Sequence, residues 1–161
     1  MFVEKHNTIS RLVKPEDLPV VLKAADEMAK MLFKPAGMYK SFYAIAHPQI
    51  EKERPLRFFI LNAEDASVPA GYKIVAVINP VILKHTNSTV DSEEGCATFN
   101  KLPKVTVQRW NKCEVEYSPL QFDKNKQPFI GARVKVNLSG KAAKIFQHEI
   151  DHLNAKYIYD I

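Results

Sequence analysis

The sequence predicts an α+β fold, with mostly antiparallel sheets around a central C-terminal helix and an N-terminal helix packed outside. Three observations carry this prediction. Two stretches, one near each end of the chain, are apolar in a helical pattern. Between them lie several short runs rich in β-branched and aromatic residues. Turn residues separate those runs and no helical pattern intervenes, so their pairing is antiparallel.

The first helix is expected at about residues 16–32. Leu18, Val21, Leu22, Ala25, Met28, Ala29 and Leu32 make one apolar stripe. Pro15 and Pro19 suit its first turn, and Glu16 and Asp17 suit its positive end. Pro35 and Gly37 make 33–41 a loop. Strands are expected at 56–61, 72–78, 81–83, 105–110, 113–117 and 132–136, with Asn79-Pro80 stopping the second. Residues 123–128 read as a hairpin loop. Ser139 is a good N-cap for a last helix reaching about Leu153. Ala142, Ala143, Ile145, Phe146, Ile150 and Leu153 make that helix apolar on much of its surface, which places it between sheets.

The chain has 161 residues, enough for one domain over 1–161 with a hydrophobic core. Its 46% hydrophobic and 25% charged residues are ordinary for a globular protein. No stretch approaches the roughly 20 apolar residues that cross a bilayer, and the N-terminus has no apolar block of signal-peptide length. No membrane association is expected, and a cytoplasmic compartment is the default; a processed organellar protein or a virus-encoded one would read the same. The two cysteines, Cys96 and Cys113, do not make a disulfide framework. The net charge of +5 is compatible with a transient contact with ribosomal RNA. No dense Lys/Arg stretch with interleaved aromatics suggests specific DNA binding.

Residues 148–152 read His-Glu-Ile-Asp-His, an H-E-x-x-H pattern. On a helix, i and i+4 share a face, so His148 and His152 can offer ring nitrogens to one metal ion. Glu149 lies beside them as a proton carrier for an activated water. The chemistry implied is metal-dependent hydrolysis. A third ligand cannot follow downstream: metzincin spacing would need Gly at Ala155 and His at Ile158, and no Glu follows Glu149. The upstream candidates are Cys96, Cys113, His6, His47 and His85. Cys96 is preferred, because Gly95 lets the backbone turn closely there, whereas Cys113 sits in an alternating strand where a buried thiol is ordinary.

Glu94-Gly95-Cys96 and the stretch Gln147 to Asn154 resemble two signature motifs of the peptide deformylases. A third motif, G-x-G-L-A-A-x-Q in that family, is degenerate here as Phe42-Tyr-Ala-Ile-Ala-His-Pro-Gln49. Asn79-Pro80, Arg109 and Tyr159-Asp160 add to the likeness. The resemblance implies Cys96, His148 and His152 as ligands of one divalent ion, natively Fe²⁺ and replaceable by Zn²⁺, Ni²⁺ or Co²⁺. It implies Glu149 as general acid/base, with Gln49 and the Ala97 N–H stabilising the oxyanion. The implied reaction removes the formyl group from N-formylmethionine of nascent polypeptides. Tyr43, Ala44 and Ile45 then fall where substrate binds, and Glu94 and Arg109 form a supporting ion pair. Asp151 either orients a ligand histidine or caps helix-side donors. Phe42 and Ala44 replace glycines and would narrow the cleft; His47, near Gln49, reads as a space-filling histidine. A same-fold amidohydrolase with a shifted substrate, or a non-catalytic metal- or peptide-binding module, are the competing readings.

Overall fold

The computed structural model describes residues 5, 7–32, 43–63, 74–99 and 102–160; the expected loop at 33–41 and Phe42 lie outside them. A 3-10 turn at Pro15–Asp17 leads into helix α1, Leu18–Leu32. The Asp17 carboxylate accepts two bonds from the Arg11 guanidinium, at 2.7 and 2.8 Å, and one from the Lys14 N–H at 2.8 Å. Those donors hold its pKa down at about 2.

The strands are β1 (Ala44–Ala46), β2 (Phe58–Asn62), β3 (Ile74–His85), β4 (Thr89–Glu94), β5 (Val105–Trp110), β6 (Lys112–Phe122), β7 (Pro128–Ile130) and β8 (Val134–Ser139). Helix α2, Gly140–Leu153, follows β8 directly. Six strands form one sheet in the order β1-β2-β3-β6-β7, with β8 also paired to β6. β4 and β5 form a separate ribbon, and every pairing between these strands is antiparallel.

Both faces of the sheet are covered at β2, so β2 reads as a continuous apolar run instead of an alternating one. Phe58 and Ile60 point one way, onto Val21, Ala24 and Met28 of α1. Phe59 and Leu61 point the other way, onto Ala143, Phe146 and Ile150 of α2. Each such side chain, fully withdrawn from water, contributes about 1.5–3 kcal/mol. No described helix is long and apolar enough to cross a membrane.

Several expectations need correction. Asn79-Pro80 does not end a strand. β3 continues through it to His85, with a register shift between Ile78 and Val81. Pro80 has no N–H for the ladder, and Asn79 adopts a positive φ of 53°. Its amide then exchanges two hydrogen bonds with the Val13 backbone, at 2.8 and 3.0 Å, which ties the segment before α1 to the sheet. β4 was not expected, because Thr89-Val-Asp-Ser-Glu-Glu is mostly polar; as half of a two-stranded ribbon it buries only Ser92. β1 and β7, three residues each, are too short to carry a period. β8 begins and ends later than expected. Ser139 occupies the N-cap position of α2 with extended backbone, but its side chain makes no capping bond.

Candidate metal centre

The two layers meet at α2. Ala142, Ala143, Phe146 and Leu153 bind it to the sheet, while its polar side faces the β4–β5 ribbon. Gln147 fastens helix to ribbon: its Oε1 accepts the Trp110 N–H at 2.8 Å and its Nε2 donates to the Trp110 carbonyl at 2.9 Å. This side chain was not singled out as functional in the sequence, although it adjoins His148. An amide exchanging both bonds with one residue of β5 fixes the rotation of α2 about its axis.

That rotation aims His148 and His152 at the turn following β4. Their Nε2 atoms are 3.1 Å apart, and the Cys96 Sγ lies 3.5 Å from His152 Nε2. Ligand atoms of Cys96, His148 and His152 all fall within 4.8 Å of one another. Of the other upstream candidates, Cys113 is buried in the core beneath α2, and its thiol pKa is raised by that burial. His85 stacks on Trp110 at a centroid distance of 3.6 Å. His47 is buried against Phe58, with its Nδ1 accepting the Leu56 N–H at 2.8 Å, so it fills space in the core. His6 lies outside the described residues. Gly95 is not sterically required: a Cβ there would meet Lys104 Cγ at an ordinary 3.6 Å, and its φ is not positive.

Two imidazole nitrogens and a thiol sulfur converging on one point suit a divalent transition-metal ion. The surroundings agree. Burial lowers the proton affinity of His148, yet contacts with Cys96 and Glu94 outweigh it and hold the imidazole pKa at about 10.

Glu94 orients His148: its carboxylate lies 2.7 Å from the Nδ1, leaving Nε2 for the centre. Arg109, only 5% exposed, donates to both Glu94 oxygens, at 2.7 and 2.9 Å, and to Asp151 at 2.6 Å. Burial works against the Glu94 charge, but the Arg109 bonds prevail and hold its pKa at about 2. Asp151, expected to face a ligand histidine or cap donors, instead pairs with Arg109; the orienting carboxylate is Glu94. That role was hidden in the sequence, since 54 residues separate Glu94 from His148.

Glu149 is buried, and its Oε2 has no hydrogen-bond partner among the described residues. Burial raises its pKa to about 7, where a carboxyl group both takes and returns protons. Gln49 is buried in the 3-10 turn after β1. Its Oε1 accepts the Ala46 N–H at 2.8 Å, so its Nε2 is turned toward the Thr98 Oγ1 at 3.2 Å and the Cys96 Sγ at 4.0 Å. Ala97 opens the 3-10 turn directly after Cys96. Ala44 and Ile45 bury their side chains on opposite faces of the sheet, so neither side chain lines a cleft. What β1 can offer a ligand is its backbone edge, together with the half-exposed Tyr43. The narrowing expected from Ala44 therefore does not arise from its Cβ.

The fold and this donor set define a class: α+β chains in which an H-E-x-x-H helix and a cysteine outside it bring together a Cys/His/His cluster that could hold a metal ion. Comparison with known proteins narrows it. Residues 7–161 match the polypeptide deformylase family, and the chain belongs to that family. The Thermotoga maritima peptide deformylase is 35% identical over 116 residues, 72% of this chain and 59% of the relative. Peptide deformylase 2 of Bacillus subtilis is 33% identical over 118 residues, 72% of this chain and 57% of the relative. These matches span less than two thirds of the relatives' length. The crystal structure of the Thermotoga maritima enzyme superposes with a TM-score of 0.70 at 28% identity, covering 99% of this chain and 96% of that one. A class I type b peptide deformylase from Acinetobacter baumannii gives 0.72 at 26% identity, with 98% and 92% covered.

Proposed function

We propose that residues 1–161 act as one deformylase domain, which hydrolyses the formyl amide of N-formylmethionyl nascent peptides. The observation that carries this reading is the convergence of Cys96, His148 and His152 within 4.8 Å beside a buried Glu149. Those three residues would hold one divalent ion, Fe²⁺ by family resemblance, with Zn²⁺, Ni²⁺ or Co²⁺ as substitutes. Such an ion supplies Lewis acidity, which acidifies water and polarises a carbonyl.

The chain's own residues do the rest. Glu149 takes a proton from the water that attacks the formyl carbon. The Gln49 Nε2 and the Ala97 backbone N–H face the charge that develops on the formyl oxygen, each such donor being worth roughly 3 kcal/mol. As the carbon–nitrogen bond breaks, Glu149 returns its proton to the amine, leaving formate and a free N-terminus. Glu94, held by Arg109, keeps His148 in register throughout. Work in the cytoplasm, on chains emerging from the ribosome, follows from this substrate.

The test is anaerobic formate release from a formyl-Met-Ala-Ser peptide by metal-loaded protein, before and after chelation. Chelation should abolish turnover and ferrous ion should restore it. A loaded protein that binds one metal equivalent and releases no formate would point to a different amide substrate. Failure to bind metal, with Cys96→Ser changing nothing, would leave only a peptide-binding module.

A further inference from the structure

The two imidazoles of the centre are steadied differently. His148 has its Nδ1 against the Glu94 carboxylate, 2.7 Å away. His152 sits in the last turn of α2 and is 1% exposed, and aromatic rings pack against it. The His148 ring lies 4.8 Å from it, nearly perpendicular at 83°. The Tyr157 ring lies 4.8 Å from it as well, tilted by 58°. That separation falls in the range where aromatic pairs attract beyond the area they bury.

The end of the helix brings Tyr157 there. Ala155, at a φ of 59°, stops α2, and the Ala155 and Lys156 N–H groups close back on the His152 and Asp151 carbonyls. This closing turn folds the chain back, so that Tyr157 comes to lie beside the His152 ring. Tyr157 is itself pinned, at 1% exposure. Its N–H donates to the Asp160 carboxylate at 3.1 Å, and the Asp160 N–H returns a bond to the Tyr157 carbonyl at 2.9 Å. Lys5 pairs with the same carboxylate and holds its ammonium group 5.6 Å over the Tyr157 ring.

The same ring reaches the turn that carries the sulfur. Phe99 closes the 3-10 turn after Cys96, with its N–H on the Cys96 carbonyl at 3.1 Å. The Phe99 ring meets Tyr157 edge-on, at 5.4 Å and 74°. Cys96, Val107, Tyr157 and Ile158 form one buried cluster. Tyr157 therefore packs against both halves of the centre, the helical imidazole and the cysteine turn, which come from stretches 56 residues apart. A stiff, flat ring packed against both fixes their separation. A flexible aliphatic chain would fill the space and leave that separation loose, which matters because groups behind metal ligands set ligand orientation and affinity. Resting on the metal-binding reading of Cys96, His148 and His152, we infer that Tyr157 is a positioning residue, whose ring fixes His152 relative to Cys96 and so sets the grip of the centre on its ion.

The test loads wild type, Tyr157→Leu, Tyr157→Phe and Ile158→Ala with Co²⁺ under anaerobic conditions. Affinity is read by competition with a chelator, and donor geometry by the visible absorption of the bound ion. Tyr157→Leu keeps apolar volume without a ring; it should bind Co²⁺ roughly ten- to hundredfold more weakly, with a shifted spectrum. Tyr157→Phe should match wild type in both. Ile158→Ala opens the same buried cluster and leaves the His152–Tyr157 ring contact in place. It should unfold at lower urea yet keep the wild-type affinity and spectrum. Formate release is measured in parallel. If wild type binds Co²⁺ but releases no formate, the deformylase reading fails, and the contrast in affinity between Tyr157→Leu and Tyr157→Phe still decides the role of Tyr157. Wild-type affinity and spectrum in Tyr157→Leu, or equal losses of affinity in Ile158→Ala and Tyr157→Leu, overturn the inference alone. No uptake of Co²⁺ by wild type overturns both.

Discussion

Helices α1 and α2 pack on opposite faces of one sheet and are almost equal in length, yet they are buried in different ways. α1 buries five of its fifteen residues, and all five are apolar. α2 buries nine of fourteen, and three of those are Gln147, Glu149 and His152. A helix that only covers a sheet needs one hydrocarbon stripe and leaves its other side to water. A helix clasped between a sheet and a ribbon has a second buried side, where each polar group must be partnered or put to chemical use. Gln147 is partnered through Trp110. Glu149 leaves its Oε2 without a hydrogen-bond partner among the described residues, as a group kept for proton transfer would.

The comparison predicts that α2 substitutions strike activity first and α1 substitutions strike stability first. The largest effect should come from Glu149→Ala, with formate release falling by roughly 10²–10⁴-fold while metal content, read by elemental analysis, stays at the wild-type level. Loss of metal in that variant would make Glu149 structural instead. Next is Arg109→Leu, which leaves the largely buried Glu94 and the partly exposed Asp151 without their cation. Urea unfolding should show a loss of about 3–5 kcal/mol. On the other side, Met28→Ala should cost about 2–5 kcal/mol in the same assay and leave kcat/KM near wild type well below its melting temperature. A tenfold drop in kcat/KM there would show that the two faces are coupled through the sheet.

His47 sharpens the contrast through pH. Burial pushes its pKa down to about 4 from an ordinary 6.5. Between those values the unfolded chain binds a proton that the folded one refuses. Stability from this residue is therefore complete above about pH 6.5 and falls as the pH drops toward 4. A His47→Phe variant should flatten that part of a stability–pH curve; an unchanged curve would mean that another group controls it. The smallest effect concerns the end of α2. Lys156 N–H bonds to the Asp151 carbonyl and Ala155 N–H to the His152 carbonyl, with Ala155 at a φ of 59°. That closing turn suits glycine, because a Cβ clashes in the left-handed region. Ala155→Gly should raise stability by up to about 1 kcal/mol in thermal unfolding, with activity unchanged.

Much of this was legible before any coordinates. The α1 stripe and the apolar character of α2 come straight from residue spacing, because a helix repeats its environment every three or four positions. The pair His148 and His152 follows from the same rule. β4 was not legible, since its inward residues Ser92 and Glu94 are themselves polar and leave no apolar alternation to show. Nor was the continuation of β3 through Asn79-Pro80, where a side chain 66 residues from Val13 compensates the interruption.

What the sequence alone determined is therefore the local part of the centre: two imidazoles and a carboxyl group on one helix, whose geometry is set by helical pitch. Tertiary structure decided which sulfur joins them and which carboxylate steadies His148. Those relations span dozens of residues, and they exist only once packing on the sheet and the Gln147 clasp have fixed the rotation of α2.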